Sequence, residues 1–257
     1  MIRIASYVLL FLLCSVKVSA QTLSEKYDHI KEDFLGKSYF GVHAGIAIPF
    51  KEFSDNDPNH ITSGYAKSGF TYNFTFRYAF TEYFGVTAKY FSTSNSFDSQ
   101  KLQNDFNNKL GPLTSNSYTY TSDPWTIEGF MFAPTYLFKS KNYNIEFGVG
   151  IGKVNSTLPQ NTLTIISPSD SINIYSQGAY QSNNWAVSIE GAFRYMITKN
   201  VILSAQGDVL ITDHTYKNIT TYLTNNTGNY MIVPSYDYLQ PFRLIHLTIG
   251  IGFQFEE

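Results

Sequence analysis

Six charged residues stand inside stretches whose side chains alternate between large apolar and small or polar types. They are Arg77, Lys89, Glu146, Glu190, Arg194 and Asp208. Such alternation turns every second side chain of a strand to the same face, and all six charges share the polar row of their stretches. An unpaired charge in a space of low polarisability costs several kcal/mol, so the chemistry expected of them is ion pairing. We expect Glu146 to pair with Arg77 or Arg194, near one end of the strands.

The other three charges stand farther from that end, and we expect Lys89 to pair with Glu190 or Asp208. Two interpretations of such a charged interior stay open. In the first, which we favour, the ion pairs form a static polar plug in place of an apolar core. In the second, they line a gated or narrow conduit for small solutes.

Other residues that could act in catalysis or bind a ligand form no recognisable site. The run from Gly148 to Lys153 has the spacing of neither the dinucleotide motif nor the P-loop. His246 or His43 could supply the base of a lipid-modifying barrel enzyme, but the sequence puts no obvious serine and carboxylate beside either. Paired metal-ligand spacing is absent among the five histidines, His29, His43, His60, His214 and His246. We therefore predict no catalytic residue, metal or cofactor.

The composition favours strands and a membrane interface. Of 257 residues, 43% are hydrophobic and 15% charged, and there are 20 Tyr and 21 Phe. Aromatic residues favour strands and also gather where a membrane meets water. The balance of 18 basic against 20 acidic residues lacks the basic excess of a nucleic-acid-binding protein.

The N-terminal segment carries the features of a secretory signal peptide. Arg3 provides a positive start, an apolar run follows, and small residues precede a cleavage site after Ala20. A lipoprotein acceptor at Cys14, the only cysteine, fits less well because Leu13 precedes it. We predict a signal peptide over 1–20 and a helical segment over 21–36, placed at the periplasmic mouth of the domain that follows.

From residue 37 to residue 257 the apolar period is two, which predicts about eight strands. Each is at least as long as the ~9–11 residues that a tilted strand needs to cross a membrane. Pro134 cannot donate a hydrogen bond and suggests a bulge. The expected strands cover Ser38–Phe50, Gly69–Thr81, Tyr83–Ser94, Trp125–Lys139, Tyr143–Val154, Asn184–Thr198, Asn200–Thr212 and a last stretch from about Leu239.

The links between these strands alternate strictly between short and long. The short ones lie near 81–82, 140–142 and 199–200, and the long ones cover roughly 51–67, 95–123, 155–183 and 213–238. Short periplasmic turns and long extracellular loops are typical of outer-membrane barrels. A sheet can span hydrocarbon only if it closes on itself. The sequence therefore predicts an all-β, antiparallel, up-and-down transmembrane β-barrel.

In such a barrel the apolar row faces lipid and the small or polar row faces the lumen. An eight-stranded barrel is only wide enough inside for side chains to fill it. The last stretch follows this pattern, because Gly250 and Gly252 alternate with large apolar residues. The long loops are rich in tyrosine, which could form an adhesive or ligand-binding rim, although girdle and loop packing explain most of these residues. The tyrosines concerned are Tyr118, Tyr120, Tyr216, Tyr222, Tyr230, Tyr236 and Tyr238.

Three stretches resemble the outer-membrane β-barrel domain family of Bacteroidota, the porin-like, PorT-type group. They are Gly45 with the Ile48-Pro49-x-x-x-Phe53 strand end, Gly64-Tyr65-Ala66-Lys67-x-Gly69-Phe70, and the terminal Gly-x-Gly-Phe-x-Phe of 250–255. The resemblance implies a barrel of about eight strands, an outer-membrane location and no assigned activity. It also implies that the assembly machinery reads a terminal aromatic residue, whereas here Glu256 and Glu257 follow Phe255. The partners expected are outer-membrane lipid, that machinery and an extracellular ligand of the loops.

Overall fold

The computed structural model describes residues 38–255 except 110, 111, 113, 114, 141, 169–171, 199 and 226–229. The predicted signal peptide (1–20), the predicted helical segment (21–36) and the two C-terminal glutamates lie outside the described residues. None of the helices in the described part is long and apolar enough to cross a membrane.

Strands make up most of the described chain. A 3-10 turn, Lys51–Phe53, follows the first strand, and one α-helix, α1, covers Ser99–Lys109. The strands are β1 Ser38–Pro49, β2 Gly69–Ala79, β3 Phe84–Asn95, β4 Ser117–Ser122, β5 Trp125–Lys139, β6 Tyr143–Leu158, β7 Asn161–Ile166, β8 Ile172–Gln177, β9 Tyr180–Met196, β10 Val201–Asn225 and β11 Tyr230–Phe255.

Eight of these strands close into an antiparallel ring in the order β1, β2, β3, β5, β6, β9, β10 and β11. The ring closes where β11 pairs with β1, from Ser38 opposite Phe255 to Pro49 opposite Leu244. Closure gives each strand of the ring two neighbours, which removes the free edges of an open sheet. The predicted up-and-down barrel of about eight strands is confirmed.

The long links contain more strand than the sequence predicted. β10 and β11 continue as one hairpin well beyond the expected limits, up to Asn225 and down from Tyr230. The upper part of β10 also pairs with β8, which pairs with β7, which in turn pairs with β4. We call these three strands and the upper β10–β11 hairpin the extension. Its strands were missed because above the membrane both faces can be polar, so the apolar row disappears while backbone pairing continues.

The two rows of each ring strand face opposite surroundings, as predicted. In β2 the outward side chains Phe70, Phe74 and Phe76 are exposed, whereas the inward Thr75 and Arg77 are buried. The same outward row in β11 includes Ile249, which is 71% exposed. A continuous apolar belt of this kind would be a liability in water, because soluble monomers rarely expose large apolar patches. It is the outer surface of a membrane-spanning barrel.

The inward glycines of β11 make room for aromatic rings on β1. A Cβ atom added to Gly252 would collide with the ring of Tyr39, and one added to Gly250 would collide with the backbone oxygen of Val42 and the ring of His43. Tyr39 and His43 are both buried and are in contact, with 3.1 Å between the hydroxyl oxygen and Nε2. The alternation of glycine with large apolar residues in β11 therefore reflects a lumen filled by side chains of the neighbouring strand.

Pro134 causes a gap in pairing rather than the predicted bulge. Between β5 and β6, Phe132 pairs with Ile151, and the next pair along the strand is Thr135 with Gly148. The register is therefore the same on both sides of Pro134. On the β3 side Pro134 keeps its place opposite Val86. The missing N–H interrupts the ladder locally, but no extra residue is inserted.

Candidate functional site: the lumen and the outer cavity

The inward charges nearest the short turns form one group around Glu146. Nη1 of Arg77 donates to Oε1 of Glu146 at 2.8 Å, and Arg194 pairs with Oε2 of the same carboxylate. The two guanidinium carbons also lie 5.9 and 4.2 Å from the ring centroid of Tyr39. Asn144 donates a further hydrogen bond to Oε1. In this arginine cluster two cations share one carboxylate, and the face of the tyrosine ring offsets part of the remaining positive charge.

The other three predicted charges form a second group higher in the lumen. Nζ of Lys89 lies 2.8 Å from Oε2 of Glu190 and 2.9 Å from Oδ1 of Asp208. Oδ2 of Asp208 lies 2.9 Å from Nδ1 of His246. In this lysine cluster one cation is shared by two carboxylates. Taken together, the two clusters place three basic and three acidic side chains in the lumen, so their formal charges cancel.

A small cavity lies between the two clusters. Its volume is about 20 Å³, and Lys89, Glu190 and Asp208 line it together with Glu146 and Arg194. About 10–15 Å³ is the least that can hold one water molecule. The space between the charged layers therefore has the size of a water molecule and not of a dissolved metabolite.

His246 has a carboxylate beside it that the sequence did not reveal. Because β10 pairs with β11, Asp208 stands directly opposite His246. Nε2 of the imidazole lies 3.2 Å from Oγ1 of Thr93, which donates to Thr71 at 2.9 Å. A hydroxyl, an imidazole and a carboxylate in line resemble the nucleophile, base and acid of hydrolases. Here all three are buried, and of the three only Asp208 lines the small cavity between the clusters.

An apolar layer covers the lysine cluster on the side of the extension. The rings of Phe53, Trp125 and Phe242 meet edge to face, with centroids 4.7 to 5.7 Å apart. Phe53 belongs to the long link after β1 and is buried in the mouth of the barrel. Nε1 of Trp125 donates to the carbonyl oxygen of Gly64 at 2.9 Å, which fixes the same link from its other end. The expectation that charged side chains alone plug the lumen was therefore incomplete.

A larger cavity opens on the other side of this layer. Its volume is about 340 Å³, within the roughly 300–1,000 Å³ of cavities that bind small ligands. Trp125 lines it, as do residues of the 51–67 link, α1, β7, β8 and the β10–β11 hairpin. We call it the outer cavity. Besides Trp125, six of its lining residues are phenylalanines or tyrosines, and we call these seven the aromatic wall: Tyr65, Phe97, Phe106, Tyr120, Tyr236 and Tyr238 are the six.

Tyr65 has an unusual conformation in this wall. Its φ angle is 49°, in the left-handed region that bulky residues rarely adopt. The position is held by backbone hydrogen bonds, from its N–H to the oxygen of Asp55 at 2.9 Å and from the N–H of Asp98 to its own oxygen at 2.7 Å. Its ring stacks on Phe97 with centroids 5.5 Å apart. The side chain is only 6% exposed, and its hydroxyl has no hydrogen-bond partner among the described residues.

The charged groups around the outer cavity are paired with each other. Nδ1 of His60 lies 2.6 Å from Asp55, which raises the pKa of the imidazole. Lys101 pairs with Asp105 at 2.6 Å, along α1. In the part of the chain that the structure describes, no Asp, Glu, Lys or Arg lines the cavity. Its surface is therefore aromatic, aliphatic and uncharged polar, apart from His60.

The predicted tyrosine rim divides between several surroundings. Tyr120, Tyr236 and Tyr238 line the outer cavity. Tyr216 instead lies inside the barrel mouth, where its hydroxyl is 2.6 Å from that of Ser156. Tyr118 stacks on the ring of Phe106, Tyr222 is exposed, and the side chain of Tyr230 lies outside the described part. Tyr65 and Trp125, which the sequence analysis did not connect with a site, complete the aromatic wall.

Comparison with known proteins finds similar solved structures but no matching sequence family. No family model matches the chain, and no curated protein matches it. Among similar solved structures, neisserial surface protein A has 14% identity and a TM-score of 0.43, over 86% of this chain and 99% of that one. OprG of Pseudomonas aeruginosa has 11% identity and a TM-score of 0.44, over 87% and 97%. Ail, the attachment invasion locus protein of Yersinia pestis, has 10% identity and a TM-score of 0.40, over 86% and 100%.

At these identities and TM-scores, no property of the three proteins is transferred to this chain. The fold follows from the closed ring of strands and its apolar belt, which are features of the chain itself. Membership of the Bacteroidota family that the sequence resembles stays a prediction.

Proposed function

We propose that this chain is an integral outer-membrane protein whose barrel is a closed support for a binding site in the extension. The observation that carries the proposal is the contrast between the two ends of the interior. The lumen holds two layers of ion pairs, a water-sized cavity and an apolar layer, whereas an open cavity of about 340 Å³ lies beyond them. The residues that could contact a ligand are therefore those of the extension and the long links.

The outer membrane is the location that the belt and the connections favour. Closed antiparallel barrels with short turns at one end and long links at the other are the form of integral proteins of that membrane. The predicted signal peptide supports export from the cytoplasm. The short turn at Glu82 then faces the periplasm, and the extension and Ile61 of the 51–67 link face the exterior.

The second interpretation of the charged lumen, a narrow conduit for small solutes, has less support. An aqueous channel requires a continuous path, and the charged layers leave about 20 Å³ between them. Narrow eight-stranded barrels are filled by their own side chains. The apolar layer above the lysine cluster is a further barrier to ions.

Labelling of single cysteines on intact cells tests the proposed placement. In a Cys14→Ser background, Ile61→Cys puts a thiol at a side chain that is 87% exposed, and Glu82→Cys puts one at the exposed short turn. We expect a maleimide coupled to a polymer too large for porins to label the first variant on intact cells. The second variant should react only after the outer membrane is permeabilised.

Two outcomes would contradict the placement. Labelling of Glu82→Cys but not Ile61→Cys on intact cells would invert the orientation. Recovery of the unmodified chain in the soluble fraction, with no heat-dependent shift in gel mobility, would exclude a membrane barrel altogether. Ser140→Cys, at another short turn, serves as a second marker of the periplasmic side.

A further inference from the structure

The aromatic wall of the outer cavity restricts the shape of a ligand. Rings from four separate segments surround it, including Tyr65, Tyr120 and Tyr238. Aromatic faces pack best against flat partners whose own faces are apolar, namely other rings or the C–H faces of sugars. A volume of about 340 Å³ suits one or two such rings.

The polar groups of the wall restrict its chemistry further. Ser63, Asn161 and Gln177 line the cavity between the aromatic rings. Hydroxyl and amide groups both donate and accept hydrogen bonds, so they match ligand hydroxyls, which also do both. Ser63 already donates to the carbonyl oxygen of Asp57 and Gln177 already accepts from Tyr236, so a hydrocarbon chain would leave them satisfied but would gain no hydrogen bond from them, whereas a ligand hydroxyl would.

Charge excludes another class of ligand. No lysine or arginine lines the cavity in the described residues, and its one histidine, His60, is already paired with Asp55, so a sulfate or carboxylate bound there would lack a free counter-ion. Asp55, Asp57 and Asp105 lie near enough that, after burial, they raise the pKa of Tyr65. With its pKa raised, the tyrosine hydroxyl stays protonated and can act as a hydrogen-bond donor.

Tyr65 provides the independent indication that something binds. Its hydroxyl is buried without a hydrogen-bond partner among the described residues, a state that ordinarily costs stability. Its strained backbone is also characteristic of binding sites, where the surrounding structure maintains a conformation for a reason other than stability. A ligand hydroxyl could satisfy the Tyr65 hydroxyl.

From these observations we infer that the outer cavity binds an uncharged sugar of one or two rings. The aromatic wall packs on the C–H faces of the sugar, and the Tyr65 hydroxyl hydrogen-bonds to one of its hydroxyl groups. The inference deepens the proposed function, because it rests on the cavity's being open to the exterior in the assembled barrel.

Trp125 gives a direct readout of binding. The chain has two tryptophans, and Trp185 points outward from the barrel wall, 58% exposed. In a Trp185→Phe background, reconstituted as the full chain in lipid nanodiscs, Trp125 in the cavity wall is the sole indole. We expect a saturable change in its emission on titration with at least one of maltose, lactose or diacetylchitobiose, and none with glucose 6-sulfate or decanol.

Two conservative substitutions separate binding from folding. Tyr65→Phe removes only the unpartnered hydroxyl and should weaken binding of that sugar roughly 3- to 10-fold, as expected for one lost hydrogen bond. Its resistance to urea should be unchanged or higher. Tyr222→Phe makes the same chemical change at an exposed tyrosine away from the cavity and should leave binding unaltered.

Several results would overturn the inference. They are a saturable response to decanol but to no sugar, equal binding of glucose 6-sulfate, no response to any of the three disaccharides, or equal affinities for Tyr65→Phe and its parent. Failure here is distinguishable from failure of the proposed function. Insertion of the nanodisc sample is checked by its gel shift, and cysteine labelling tests the placement separately.

Discussion

Changing Glu146 to Gln is expected to lower the free energy of unfolding by about 3–5 kcal/mol, the cost of leaving buried charges without their partner. The side chain of Glu146 is 3% exposed and is the carboxylate that both Arg77 and Arg194 contact. Glutamine keeps the shape and one acceptor oxygen but removes the negative charge. Two guanidinium groups would then face each other in the lumen without the carboxylate that they share.

Removing one of the two arginines of this cluster should cost less stability than removing the carboxylate that they share. Arg77→Met leaves one cation opposite one carboxylate, and it also removes Nε and Nη2, which have no hydrogen-bond partner among the described residues. We expect it to cost about 1 kcal/mol or less, since Arg194 and Glu146 remain as a complete ion pair and no buried charge is left without its partner. The asymmetry between the two variants distinguishes a shared carboxylate from a simple ion pair.

Equilibrium unfolding in urea, followed by gel mobility in lipid vesicles, measures both effects. Glu128→Gln is the matched control, because Glu128 lies on the outer side of β5, partly exposed, with a single contact to the hydroxyl of Tyr90. It should change stability by about 0.5 kcal/mol or less. If Glu146→Gln were no more costly than this control, the arginine cluster would not be a buried ionic layer.

Changing Phe53 to Ala is expected to have an effect of similar size, about 3–5 kcal/mol, because it empties a filled position in an apolar layer. The ring of Phe53 is fully buried and contacts Trp125 and Phe242. It is also the residue by which the long link after β1 is anchored in the mouth of the barrel. Its loss should expose Trp125 to water and move that residue's emission to longer wavelength in a Trp185→Phe background.

Ile61→Ala is the control for Phe53→Ala. Both residues are apolar and lie in the same link, but Ile61 is 87% exposed. Its truncation should change stability by about 0.5 kcal/mol or less and leave the emission of Trp125 where it is. An unchanged emission in Phe53→Ala would mean that the apolar layer does not depend on the link.

The transmembrane part of the fold was predictable because its physics is local. A strand with lipid on one side and a packed lumen on the other must alternate, so Phe70 to Phe76 in β2 and Leu247 to Phe255 in β11 identify the outward row by themselves. The inward charges follow from the same alternation, since they occupy the other row. The contacts of Glu146 with both arginines depend on the register of β2, β6 and β9, which no single strand encodes.

The parts beyond the membrane were not predictable in the same way. In the upper half of β5, Trp125, Ile127 and Met131 face inward although they are as apolar as the outward row, because they belong to the buried apolar cluster that also contains Phe53 and Phe242. Both rows therefore look alike in the sequence. The long connections hid β4, β7 and β8, since a strand in water needs no apolar face when its backbone is paired.

The outer cavity depends on contacts between distant segments. Tyr65 and Tyr238 are far apart in the chain and meet only because the 51–67 link folds over the barrel mouth towards the β10–β11 hairpin. The density of tyrosine in the loops was the available signal, but it could not separate Tyr120, in the cavity wall, from Tyr222, on the exposed face. The Asp208–His246 contact was hidden for the same reason, because it requires the pairing of β10 with β11.

Electrical recording across a planar lipid bilayer tests the closed lumen most directly. Chain refolded into vesicles, with its folded state checked by gel mobility, is fused to the bilayer in concentrated potassium chloride. Two layers of ion pairs and the apolar layer around Phe53 should block ions, so we expect a baseline without current steps. Reproducible steps that vanish when the same sample is unfolded by heat would contradict a closed lumen and make the barrel a conduit.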